Sequence, residues 1–139
     1  MTGTPVATRA SARKRGRNVN RPEQELQIAT TEYLVSALPK DCFFTFINNG
    51  MGRSKAEGGI AKAMGLRAGT PDYLFVYRGR AYFIEMKAGK NTETDNQILC
   101  HADLAEAGAP VATCWSIKAV EMTLRSWGIP LHAHVMGET

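Results

Sequence analysis

No apolar run in this chain approaches the roughly 18 residues that cross a bilayer, so no membrane-spanning helix is expected. Its first 20 residues lack the apolar stretch of a signal peptide, which predicts no export. Cysteine is scarce: Cys42, Cys100 and Cys114 are odd in number, widely spaced and without a CxxC pair. A disulfide framework is thereby excluded, a cysteine zinc site is not expected, and each thiol is expected as a small buried hydrophobe in a reducing, cytoplasmic compartment. Repeats are lacking too, and low complexity is confined to residues 1–20.

What is present suits one α/β domain. Of 139 residues 44% are hydrophobic and 22% charged, enough for a core without staples. Charge is uneven. Residues 1–21 carry Arg9, Arg13, Lys14, Arg15, Arg17 and Arg21 with no acid, leaving 11 basic against 13 acidic residues in the rest. The expected organisation is a basic, disordered arm over 1–20 and a single, slightly acidic domain over 21–139. Such an arm is either a solvated tail or a contact to a polyanion, of which nucleic acid is the commonest.

Apolar positions between Glu23 and Leu38 recur at three- and four-residue steps and predict a helix closed by Pro39. Cys42–Ile47 reads as a strand, Ile60–Met64 as a short helix after the flexible Gly58-Gly59, and Leu66–Pro71 as a loop. Asp72–Tyr77 and Ala81–Lys87 read as a hairpin turning at Arg78-Gly79. A helix from about Thr94 to Ala107, a strand Val111–Trp115 and a helix Ile117–Trp127 capped by Ser116 complete the order α-β-(α)-β-β-α-β-α. That order predicts a mixed sheet flanked by helices. Apolar residues on both sides of the hairpin strands suggest that both faces are covered.

The hairpin carries the chemistry. With a two-residue turn at Arg78-Gly79, Tyr77 faces Arg80 and Asp72 faces Glu85, their β-carbons roughly 4.5–5.5 Å apart on one face; Lys87 alternates onto that face. Two carboxylates this close repel unless a cation lies between them. Two oxygen ligands suit Mg²⁺ or Mn²⁺, which can polarise a phosphate and activate a water. The plainer reading is an exposed cross-strand cluster in which Lys87 forms a surface salt bridge.

Pro71-Asp72, twelve residues, then Glu85-Met86-Lys87 resembles the PD-(D/E)xK nuclease signature, and the surrounding segments resemble one branch of it, the virus-type replication and repair nucleases (VRR-NUC domains). Glu23-Gln24-Glu25-Leu26-Gln27 is similar to the branch's opening helix motif, and Asn49-Gly50 with Arg53 to its asparagine-glycine turn. Gly65-Leu66-Arg67-Ala68-Gly69-Thr70-Pro71-Asp72 is similar to its glycine-rich approach to the aspartate, and Gln97 stands at the place of its downstream glutamine. The resemblance runs from about Glu23 to Trp115. It implies a restriction-endonuclease-like fold and a metal site of Asp72 and Glu85, with the Met86 carbonyl as a further ligand and Lys87 as the catalytic lysine. A first-helix acid would complete the site, Glu23 by its spacing of four from Gln27; Glu25 lies about 200° round the helix, so only one of the two faces the metal. Gln97 would bond within the site or serve only in a Thr94-x-x-Gln97 capping box, one side chain hardly serving both. The plainer reading of Gln27 is a solvated helix residue.

The activity implied is Mg²⁺- or Mn²⁺-dependent endonucleolytic hydrolysis of DNA, resembling the junction-resolving enzymes of stand-alone, often phage-borne, domains that act as homodimers on four-way junctions. The site would then be the host cytoplasm. A non-catalytic nucleic-acid-binding protein on the same fold and a nuclease of linear duplex are the alternatives. DNA contacts are expected from Arg53, Arg67 and Lys90 around the site and from Arg13, Lys14, Arg15 and Arg17 in the arm, although Arg53 and Arg67 equally suit solvated surface charges and Lys90 suits one better. His132-Ala133-His134 could pair two imidazoles on a strand, lacking a third ligand; His101 reads as a structural or surface histidine, and Trp115 and Trp127 as core or interface residues.

Overall fold

The computed structural model describes residues 21–47, 54–132 and 135. Helix α1 covers residues 21–37, with Pro22 in its first turn where a missing N–H costs nothing. After it come β1 (Cys42–Phe46), α2 (Lys55–Ala63), β2 (Tyr73–Tyr77), β3 (Arg80–Met86), α3 (Asp95–Glu106), β4 (Val111–Cys114) and α4 (Ile117–Ser126). The four strands form one mixed sheet in the order β1-β2-β3-β4. The first three are antiparallel, and β4 joins β3 in parallel after the α3 crossover.

The β2–β3 turn has two residues, Arg78 at φ 52° and Gly79 at φ 78°. Two successive positive φ angles match the twist of a tight hairpin, and they set Tyr77 against Arg80 and Tyr73 against Ile84. The next step of that register sets Asp72 against Glu85.

Strand alternation separates two faces. One carries Cys42, Tyr73, Phe75, Tyr82, Ile84, Met86 and Cys114, which pack with Leu34 of α1, Val120 and Leu124 of α4, and Ile129 into the core. All three cysteines are buried free thiols. The Tyr73 hydroxyl ties the sheet to α1, donating to the Gln27 carbonyl at 2.7 Å and meeting Thr31 Oγ1 at 2.6 Å.

The opposite face departs from the expected cover. It is shielded where α3 packs on β4, but Phe43 on β1 is 58% exposed and Val76 on β2 stands open. Helix α2 buries none of its residues, because KAEGGIAKA offers Ile60 as its one large apolar side chain. That helix also starts five residues earlier than expected. Ser54 caps it by accepting the Glu57 N–H at 3.1 Å, while Glu57 accepts the Ser54 N–H at 2.9 Å, and this capping box outweighs the low propensity of Gly58-Gly59.

Candidate active site

Asp72 leaves the loop before β2 and Glu85 sits near the end of β3, on the face away from the core. Asp72 Oδ2 accepts the Met86 N–H at 2.8 Å. The Gln27 side chain, which lowers its pKa, and the Glu85 carboxyl both stand beside its carboxyl. Two carboxyls can bond each other only by sharing a proton, so this contact joins acceptor to acceptor when both are ionised.

Burial decides against a surface salt bridge: Glu85 is 3% and Lys87 7% exposed. Lys87 Nζ lies 3.8 Å from Glu85 Oε2, an ion pair without hydrogen-bond geometry. Burial, reinforced by the Asp72 charge and opposed by Lys87, pushes the Glu85 carboxyl up to about 8. Burial likewise raises Asp72, against the pull of the Met86 N–H and of Lys87. At neutral pH the pair therefore holds a proton that neither acid would keep in water.

Helix α1 brings a third acid. Burial raises the Glu23 carboxyl, with Lys87 lowering it and Asp72 raising it further. Glu25, two residues on, is exposed, so the helix period turns Glu23 and Gln27 together toward Asp72. Gln27 is thus no solvated residue, and its spacing of four from Glu23 was the signal.

Gln97 does both things expected to exclude each other. Its Oε1 accepts the Thr94 N–H at 2.9 Å and its backbone N–H donates to Thr94 Oγ1 at 3.2 Å; its Nε2 donates to Glu85 Oε2 at 2.9 Å. An amide has separate donor and acceptor ends, and the cap uses only the acceptor.

Glu85 Oε1 and Glu23 Oε2 are buried and receive no hydrogen bond. Oxygen donors left over beside two close carboxyls fit a hard divalent cation, with Asp72 and Glu85 as the residues that could hold it. Among the described residues no three His, Cys, Asp or Glu side chains stand as a ready ligand group, so the remaining ligands would come from the Met86 carbonyl, from water or from Glu23.

The expected DNA contacts divide. Arg67 is half exposed and paired with Asp103 of α3 at 2.5 Å. Lys90 is exposed just beyond Lys87. Arg53, Arg13, Lys14, Arg15 and Arg17 lie outside the described residues, as do the Asn49-Gly50 turn and the second imidazole of the His132–His134 pair. His101 has a buried, unpartnered Nε2 and is pushed down by burial. Trp115 donates to the Asn91 carbonyl and Trp127 stacks on Tyr82, both structural contacts.

Compared with protein-family models, curated proteins and solved structures, the chain matches none. No helix among the described residues is long and apolar enough to cross a membrane.

Proposed function

We propose that this chain is a divalent-metal-dependent DNA endonuclease with a restriction-endonuclease-like fold of the VRR-NUC kind, hydrolysing phosphodiester bonds. One observation carries the reading: Asp72 and Glu85 meet in a buried site beside Lys87, with the Glu85 carboxyl raised to about 8 and one of its oxygens unpartnered. A structural ion pair has no need of two acids on one lysine, whereas a site awaiting a cation does.

Asp72 and Glu85 would hold Mg²⁺ or Mn²⁺, with the Met86 carbonyl and Glu23 as further ligands. Such an ion supplies Lewis acidity and lowers the pKa of water. The chain's own groups do the rest. Gln97 and the Met86 N–H fix one oxygen each of Glu85 and Asp72, aiming the other oxygens into the site. Lys87 offers an ammonium to the attacking water or to charge growing on the phosphate. The catalytic set is thus Asp72, Glu85 and Lys87, with Glu23 and Gln97 completing it.

The resemblance to junction-resolving relatives supports a branched substrate, a four-way junction above all. The exposed apolar side chains Phe43, Ile98 and Leu99 support a homodimer, in which two active sites make paired cuts. Purified protein with Mn²⁺ or Mg²⁺ should cut four-way junctions faster than flaps or linear duplex. Equal cutting of all three refutes the branched substrate, and DNA binding without any metal-dependent cutting refutes the enzyme.

A further inference from the structure

The loop ahead of Asp72 lies along one stripe of α3. Arg67 pairs with Asp103, Thr70 Oγ1 meets the Cys100 thiol at 3.9 Å, and Gly69 meets the first turn. A Cβ at Gly69 would stand 2.3 Å from the Asn96 carbonyl oxygen, 2.4 Å from its carbon and 2.7 Å from the Gln97 nitrogen. These are backbone atoms of a helix, so no side-chain rotation relieves the overlap. Gly69 also has φ +83°. Conformation alone does not explain this glycine, since Gly128 has the same φ with nothing within 4 Å of a Cβ.

The turn that Gly69 touches is the one that presents Gln97. Its Oε1 is held by the Thr94 N–H, which leaves Nε2 facing Glu85. Three residues after Gly69 comes Asp72, the other acid. The loop therefore joins both halves of the site through a contact only glycine permits.

We propose that Gly69 is a positioning residue: by lying against the first turn of α3 it seats the Asp72 loop and holds the Gln97 amide on Glu85, so that the two carboxyls keep their spacing. The inference rests on the nuclease reading for its effect on turnover, but the contact itself can be read without activity. A side chain at 69 displaces the α3 turn from the loop, and Gln97 then withdraws from Glu85 while still capping its helix.

The test compares Gly69→Ala with Gly128→Ala in the full chain, following Mn²⁺-dependent junction cleavage and the Gln97 side-chain amide signal in ¹⁵N-labelled protein. Both variants lose stability through the positive φ. Gly128→Ala should keep the wild-type amide signal and turnover. Gly69→Ala should move that signal to the position of a free glutamine and lower kcat about 100-fold, the scale of an ångström's misplacement. In a Gln97→Ala background, Gly69→Ala should cost clearly less than it does in the wild type, because the two changes break one linkage in common. An unmoved amide signal in Gly69→Ala, or full multiplication of the two losses, overturns the proposal. If Gly69→Ala does not fold, Gly69→Asn tolerates the φ and retains the overlap. Wild-type protein must in any case show a cross-peak between the Gly69 Hα protons and the Gln97 N–H, whose absence overturns it too. Wild-type protein that cuts no DNA refutes the nuclease reading, while the amide signal still decides the contact.

Discussion

Glu85 is held where its charge is unwelcome, buried and facing a second carboxyl, and this has a consequence for stability. A group whose folded pKa is raised binds its proton more tightly in the native state, so stability falls as pH climbs from the unfolded value, about 4.3, to the folded value of about 8. Metal-free protein should lose thermal stability across that window. Glu85→Gln should remove most of the loss and melt several degrees above wild type at pH 8, since a kilocalorie per mole is worth about 4 °C in a chain of this size. The same variant should have no detectable nuclease activity. A Glu85→Gln protein that melts below wild type at pH 8 would mean that the carboxyl is satisfied as it stands. The aspartate, glutamate and lysine were legible in the sequence because strand alternation and a two-residue turn suffice to bring them together. Gln27 was only half legible: its spacing of four from Glu23 put the two on one helix face, but a polar helix residue looks solvated until a neighbour's position is known.

At the scale of elements, α3 supplies a separable prediction. Gln97→Glu preserves the capping acceptor, because glutamate serves as well as glutamine at that position, yet it replaces the donor facing Glu85 by a like charge. Circular dichroism and melting at pH 5 should be near wild type while cleavage falls at least about tenfold, the scale of one lost charge-assisted hydrogen bond. Unchanged cleavage would reduce Gln97 to a cap. Helix α4 makes the opposite use of a buried acid. Glu121 accepts the Val135 N–H at 3.1 Å and pairs with Arg125 and Lys118, which draw its carboxyl down to about 2, the backbone N–H foremost. A depressed pKa contributes stability above the unfolded value and loses it as pH falls toward 2. Glu121→Gln should therefore destabilise the protein at pH 7 and make its melting temperature less sensitive to acid between pH 4.5 and 2; an unchanged acid profile would contradict this.

Elements were legible where periodicity was long, as in α1, α3 and α4, and where a turn set the register. The start of α2 was missed although Ser54-x-x-Glu57 announces it, because Gly58-Gly59 argues locally for a break. The open face over β1–β2 was hidden for a different reason. Apolar residues at Phe43 and Val76 say that a surface tends to be covered, not that this chain covers it.

For the whole molecule, charge separates the body from the arm. The body holds 11 basic and 13 acidic residues, whereas residues 1–21 hold six basic residues and no acid. If the arm neutralises DNA phosphates, deleting residues 1–20 should weaken junction binding and flatten the slope of log affinity against log salt by up to about 5, each lost contact counting for nearly one. An unchanged slope would mean that the arm does not touch DNA.

The central claim is that Asp72 and Glu85 share a proton until a cation replaces it. Calorimetric titration of the metal-free protein with Mn²⁺ at pH 7, repeated in buffers of different ionisation enthalpy, measures both binding and proton release. The account predicts one bound ion accompanied by release of about one proton, with binding lost in Asp72→Asn. Failure of wild-type protein to bind Mn²⁺, or binding with no proton released, would contradict it.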